Sequence, residues 1–225
     1  MAETLRCPEC GYAIELFSDE IRARCPRCRK ETSREILPTC IDWCKHANEC
    51  VGENIYKEHL KNKSLVLKDK LLKDLEEYFG EDQRRINHAR KVMDFSEELL
   101  RKEGGDWHIV IPASILHDVG IKLAEKKYGS SAGHYQEKEG PEVAAGILRK
   151  ENFKRKDIDQ ICKIIAYHHS PGKIETINFK VLYDADWLVN LKDEAGLDDQ
   201  EKLGKVIERV FLTEAGKQKA KELYL

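Results

Sequence analysis

No stretch of this sequence stays apolar for the roughly 20 residues that a helix needs to cross a bilayer, and no charge of one sign prevails. With 39 basic and 41 acidic residues the formal net charge is −2, so net charge carries no footprint of a nucleic-acid binder. The opening residues Met1-Ala2-Glu3-Thr4-Leu5-Arg6 lead straight into a cysteine pair with no apolar leader between them, and the expected compartment is the cytoplasm. Strand-like alternation is almost missing after Arg24. What the chain does have is charge and cysteine. Charged residues make up 36% of it, enough for a well-solvated surface around one sizeable helical core with a small appendage. Its eight cysteines are clustered rather than dispersed, which in a reducing compartment points to metal ligation and away from a disulfide framework.

Four of them fall in two knuckles, Cys7-Pro8-Glu9-Cys10 and Cys25-Pro26-Arg27-Cys28, each able to direct two thiolates at one ion. Between the knuckles, residues 12–17 and 21–24 read as short strands about a turn at 18–20. So small a unit cannot bury enough apolar surface to fold without a staple, and four thiolates suit tetrahedral zinc, with iron in a rubredoxin-like site as the competitor. Residues 1–34 therefore read as a zinc ribbon. A protein or nucleic-acid partner for it is left open by the residues.

Residues 35–60 form a cysteine-rich connector in which Cys40, Cys44, His46 and Cys50 crowd around Trp43. Cys40 and Cys44 would share a helix face. Three thiolates with a fourth ligand could hold a second metal or an iron–sulfur cluster, and half-buried cysteines in a helical connector are the alternative.

From residue 61 on, apolar spacing predicts helices and little else. Leu65, Leu67, Leu71, Leu72, Leu75 and Phe79 mark one over 63–79, stopped by Gly80. A second runs from about Asp82 to Gly104-Gly105 and carries Arg85 and His88 on one face. A third covers 107–118 with Gly120 near its end, and a small-residue loop at 128–133 leads to His134. Pro141 sits where a first helical turn tolerates proline, opening a helix over 142–148. Residues 158–165 deliver His168 and His169, residues 179–191 carry Asp184 and Asp186, and helices near 202–211 and 215–223 close the chain. The expected fold is all-α over 61–225, with the β ribbon appended.

The stretch Leu116-His117-Asp118-Val119-Gly120 ends an apolar run with two metal-capable side chains. His88 upstream and His134, His168, His169, Asp184 and Asp186 downstream are placed to converge on it between packed helices. In this order the sequence resembles the HD-domain superfamily of metal-dependent phosphohydrolases, whose pattern is one His, then His-Asp, then a last Asp, all on helices. His88, His117, Asp118 and Asp186 fit that pattern; Asp186 is preferred to Asp184 because the family's last ligand commonly follows Ala and precedes an apolar residue, as in Ala185-Asp186-Trp187-Leu188. The resemblance covers residues 88–191 and implies an HD-domain helical bundle.

Imidazole and carboxylate together suit Fe, Mn, Co, Ni or Zn and do not suit a site dedicated to calcium. The resemblance implies hydrolysis of a nucleotide or other small phosphate ester through a metal-activated water, with Asp118 both binding metal and helping to accept the proton. Lys122 and Arg85 are candidates for neutralising phosphate charge, although in some relatives the Lys follows the Gly directly and here Ile121 intervenes. Relatives with two ions, among them HD-GYP phosphodiesterases, diadenosine tetraphosphate hydrolases and mixed-valence diiron oxygenases, add histidines between the His-Asp pair and the last Asp. His134 and His168, with His169, occupy that interval, so two ions are expected. The GYP tripeptide is missing, since Ser170-Pro171-Gly172-Lys173 follows His169. A diiron oxygenase, and a non-catalytic protein that binds metal and a partner through its cysteines, are the alternative functions.

Overall fold

The structure, a computed structural model, describes residues 2–17, 22–33, 49, 52–195 and 200–225. Cys40, Cys44, His46 and Cys50, with the second metal or cluster expected of them, lie outside the described residues. The chain forms two compact units, residues 1–67 and 68–225.

The first unit contains two antiparallel hairpins. Strand β1 (Ala2–Arg6) pairs with β2 (Ala13–Phe17), placing Arg6 opposite Ala13, and β3 (Arg22–Arg24) pairs with β4 (Glu31–Ser33), placing Arg24 opposite Glu31. The sequence suggested instead that the strands flanking residues 18–20 belong together. The pairing differs because each cysteine knuckle closes its own turn. Cys7 N–H donates to Tyr12 O and Gly11 N–H to Cys7 O; in the second copy Cys25 N–H donates to Lys30 O and Arg29 N–H to Cys25 O. Both turns need a left-handed residue, supplied by Gly11 (φ 68°) and, less comfortably, by Arg29 (φ 62°). Ile14 and Leu16 alternate inward from β2 to meet buried Cys7 and Cys25.

The second unit is helical. Helix α1 (Glu53–Phe79) starts earlier than the apolar pattern suggested, because no glycine or proline interrupts 53–62. Its residues from Lys68 onward belong to this unit, with Leu71, Leu75 and Phe79 buried. Then come α2 (Gln83–Glu103), α3 (Trp107–Leu116), a 3₁₀ turn (His117–Val119), α4 (Gly120–Tyr128), α5 (Gly133–Lys150), α6 (Arg155–Ile165), α7 (Ile177–Ala195), α8 (Gln200–Val210) and α9 (Glu214–Tyr224). Asp82 and Asp106 cap α2 and α3 by accepting from the N–H groups of Arg85 and His108. Every residue from Ile109 to Leu116 is buried, the signature of a helix surrounded on all sides; α2, α6 and α7 pack around it. Among the described residues, no helix is long and apolar enough to cross a membrane.

Two boundaries depart from the pattern. The chain tightens at His117 and restarts as α4 at Gly120, where only a helix end was expected. Helix α5 begins at Gly133 and continues through Pro141 instead of starting there. Packing outweighs the bond that proline removes. A Cβ on Gly120 would lie 2.3 Å from Gln136 O and 2.7 Å from Gly140 N, and one on Gly140 would lie 2.9 Å from a methyl of Ile165, so α5 is held by close contact in the turn just before the proline.

Gly120→Ala should therefore destabilise the helical unit by about 1–3 kcal/mol, because the obstructing atoms are backbone. Gly146→Ala, on an exposed part of α5 where a Cβ meets nothing within 4 Å, should gain about 0.5–1 kcal/mol. Denaturant melts of the two variants check this, and equal stability would contradict the close crossing.

Candidate metal centre

Four elements bring donors to one place. Helix α2 supplies His88, the 3₁₀ turn at the end of α3 supplies His117 and Asp118, the turn after α6 supplies His168 and His169, and α7 supplies Asp186. His88 Nε2 lies 3.2 Å from His117 Nε2, 3.0 Å from Asp186 Oδ1 and 3.6 Å from Asp118 Oδ2. His117 Nε2 lies 3.5 Å from both Asp118 Oδ2 and Asp186 Oδ1. Bonds of about 2.1 Å to one cation put neighbouring ligand atoms about 3.0–3.5 Å apart, so His88, His117 and Asp118 group as donors for one ion, with Asp186 against the two imidazoles. The other oxygen of Asp118 faces away from them, with Oδ1 3.7 Å from His168 Nε2. Asp118, His168 and His169 form a second group whose ligand atoms lie within 4.8 Å of one another.

The imidazoles are fixed by the same device twice. His117 Nδ1–H donates to Ser114 O at 2.8 Å, and His168 Nδ1–H donates to Ile165 O at 2.7 Å. Each uses a carbonyl left unpaired at a helix end, and each thereby turns Nε2 towards the carboxylates. His168 Nε2 is buried with no hydrogen-bond partner among the described residues, which suits a metal ligand and little else. Asp186 is held by Asn190, whose amide donates to Oδ1 at 2.9 Å.

Burial alone would lower the pKa of His117, but Asp118 and Asp186 raise it to about 9. Burial would raise Asp118, and His117 and His168 hold it instead at about 2. Burial likewise opposes the shift of Asp186, which His117 and His88 keep well below the usual carboxylate range. His169 is pushed down to about 4 by burial and by His168, and is neutral at pH 7. The cluster thus holds two ionised carboxylates among imidazoles, a donor set for a divalent cation.

Other expected residues lie elsewhere. His134 is exposed on the first turn of α5, against the ring of Tyr135, and belongs to neither donor group. Successive helical residues turn by roughly 100°, so Gln136, two positions on, faces the site in its place. Gln136 Oε1 accepts from His169 Nε2 at 3.3 Å, and its amide donates to Ser131 O. The same rotation separates Asp184 from Asp186. Asp184 accepts from Leu212 N, Thr213 N and Thr213 Oγ1, which fastens the start of α9 to α7, and burial raises its carboxyl to about 6. Lys122 donates to Tyr78 O at 2.6 Å, and Ile121 lines the cavity in its stead. Arg85 does line it, with its guanidinium engaged by Asp82 at 2.9 Å and Glu125 at 2.5 Å. The cavity measures about 700 Å³, and its wall also includes Arg84, Asn87, Lys91 and Asn190, none of which stood out in the sequence. Their positions at −4, −1 and +3 from His88 and +4 from Asp186 were the available signal.

In the first unit the thiols of Cys7, Cys10, Cys25 and Cys28 converge within 4.8 Å. Cys7 Sγ lies 3.5 Å from Cys28 Sγ, and Cys10 Sγ 3.6 Å from Cys25 Sγ, close to the edge of about 3.8 Å for a tetrahedron with 2.3 Å bonds. Burial would raise Cys25, but the N–H groups of Cys28 and Arg27 hold it down to about 7, favouring a thiolate. The arrangement is compatible with a zinc ribbon.

Residues 85–191 match the family described as HD domain. No curated protein matches the chain. Among solved structures, a predicted HD superfamily hydrolase from an uncultured Thermotogales bacterium is 25% identical, with a TM-score of 0.52 covering 69% of this chain and 84% of that one. An HD-superfamily hydrolase from Bacillus thuringiensis is 20% identical, with a TM-score of 0.50 covering 71% and 89%; it shares the fold.

The electrostatics make cation binding pH-dependent. With its pKa at about 9, His117 is protonated at pH 7, and a cation taking Nε2 must displace that proton. Binding should release about one proton at pH 7 and tighten about tenfold per pH unit until about pH 9. Calorimetry in buffers of different ionisation enthalpy measures this, and a heat independent of buffer would contradict it.

Proposed function

We propose, from the premise that residues 85–191 of this chain are an HD domain, that it is a cytoplasmic metal-dependent phosphohydrolase acting on a nucleotide or other small phosphate ester. The observation that carries the proposal is the pair of donor groups sharing Asp118, one oxygen towards His88 and His117 and the other towards His168. His88, His117, Asp118 and Asp186 would hold one divalent ion, and Asp118, His168 and His169 a second. Cys7, Cys10, Cys25 and Cys28 would hold structural zinc.

Bound there, divalent ions supply Lewis acidity to a phosphoryl oxygen and acidify water towards neutral pH. The chain's own contribution is position and charge. In the reaction, water adds to phosphorus as the ester P–O bond breaks, yielding an alcohol and inorganic phosphate. The water's proton leaves through the ionised carboxylate of Asp118 and ends on the departing oxygen or in solvent. Gln136 and Glu137 orient the neighbouring turn: Glu137 accepts from His169 N–H and Ser170 Oγ–H, each at 3.0 Å. Asn190 keeps Asp186 turned inward. Neutral His169 stands on the cavity wall and keeps a lone pair for the second ion.

The 225-residue chain purified without oxygen should carry about three metal equivalents, two in the helical unit and one in the ribbon. Cys25→Ser should lower this by about one equivalent and unfold the ribbon, sparing the helical unit. His117→Ala and Asp118→Ala should each abolish release of phosphate from a panel of nucleotides and p-nitrophenyl phosphate, with helicity by circular dichroism unchanged. Wild-type turnover by either variant would sink the assignment. Oxygen uptake by iron-loaded protein that hydrolyses nothing in the panel would favour an oxygenase.

A further inference from the structure

The turn that carries His117 and Asp118 has no cap of its own. Helices α2, α3 and α9 open on Asp82, Asp106 and Thr213, whose side chains accept from N–H groups of the first turn. The 3₁₀ turn opens on Leu116 and α4 on Val119, and neither side chain has an atom that accepts. The path of the backbone between them therefore sets the direction of two donors. Gly120 steadies one side by its close passage against Gln136 and Gly140. The other side is held from α1.

Tyr78, half-buried in the last turn of α1, donates its hydroxyl to Val119 O at 3.0 Å. Val119 follows Asp118 directly and is buried, so this bond fixes the carbonyl at which the 3₁₀ turn passes into α4. At the other end of the stretch, Ser114 O is taken by His117 Nδ1. The donor pair is thus bracketed by two tied carbonyls. The Tyr78 residue is itself held: Lys122, in the first turn of α4, donates to Tyr78 O at 2.6 Å and lies 5.0 Å from the centre of its ring, which satisfies a carbonyl that the end of α1 leaves open. Arg85 stands 6.0 Å from the centre of the Phe79 ring and pairs with Glu125, one turn further along α4. The two cations that residue order offered to phosphate fasten α4 to the end of α1 and the start of α2. Burial raises the pKa of the Tyr78 phenol, which keeps it protonated, and a donor, at neutral pH.

We infer that Tyr78 is a positioning residue for the metal centre, its hydroxyl holding the Val119 carbonyl so that the 3₁₀ turn presents Asp118 to both donor groups. It touches neither ion nor substrate. Asp118 has to serve two directions at once, with Oδ2 3.5 Å from His117 Nε2 and 3.6 Å from His88 Nε2, and Oδ1 3.7 Å from His168 Nε2. A turn free to relax towards an α-helix would swing the carboxylate away from one group or both. This rests on the reading of the cluster as a hydrolytic metal centre.

The test compares wild type with Tyr78→Phe, which keeps the ring and removes the hydroxyl, in the 225-residue chain with zinc supplied to the thiols. Manganese is a poor partner for thiolates and reports on the imidazole and carboxylate donors; titration followed by the paramagnetic resonance of free Mn²⁺ gives its affinity. Tyr78→Phe should bind manganese about three- to tenfold more weakly. At saturating manganese its kcat should fall by a similar factor with KM unchanged, because the loss is one of aim and not of substrate contact. Ile207→Val, buried on α8 where that helix packs on α9, removes a methyl group at a comparable cost in stability and should match wild type in both quantities. Unchanged manganese affinity in Tyr78→Phe, or an equal loss in Ile207→Val, overturns the inference. The parent reading fails separately. Wild type that binds manganese and hydrolyses no phosphate ester, with weaker binding by Tyr78→Phe, keeps the positioning role and loses the reaction, whereas hydrolysis with unaltered affinity and kcat in Tyr78→Phe loses only the positioning role.

Discussion

Two like charges held out of water are the constraint around which the helical unit is built. Asp118 and Asp186 are both ionised, and their oxygens approach the same imidazoles. In a protein interior such a pair is tolerable only when positive charge lies between the members. The raised pKa of His117 is one form of that compensation, and a divalent cation at the same donors is a stronger form. The surrounding histidines, the asparagine on Asp186 and the capped helix ends all serve to keep those carboxylates aimed at one point.

The aim is secured by backbone rather than by side chains. His117 and His168 each tie Nδ1 to the carbonyl three residues back, so ring orientation follows from where α3 and α6 stop. That makes the 3₁₀ turn after α3 a functional element: it rotates His117 and Asp118 out of the register that a continuing α-helix would impose, towards α2 and α6. The turn is kept by the close passage of Gly120 against Gln136 and Gly140. The same passage brings Gln136 and Glu137 against the His168-His169 turn. A packing requirement at one glycine is thus transmitted to both donor groups.

The ribbon follows a similar logic at smaller scale. Two knuckles with matching hydrogen bonds bring four thiols together as corners of a tetrahedron, and the buried core beside them is little more than Ile14 and Leu16 with Cys7 and Cys25. Apolar burial of that size contributes too little to offset chain entropy; a metal at the four thiols would supply the difference.

Much of this was legible in residue order. Helices reveal themselves by apolar period, a helix buried on all sides by an unbroken apolar run such as Ile109–Leu116, and a thiol site by paired cysteines, because each of these is a property of local spacing. The order His88, His117-Asp118, Asp186 belongs to the same kind, and so does the all-α class with its β appendage. Other features depended on neighbours distant in sequence. Whether His134 or Gln136 faces the cluster is a rotation of about 200° on a helix, fixed only by what packs on its other side. That Arg85 and Lys122 are spent on Glu125 and Tyr78 is decided by partners 40 or more residues away. Local spacing determined which residues could bind metal and phosphate; tertiary contact decided which of them are turned towards one another, because direction and pairing belong to the packed surface and not to the chain.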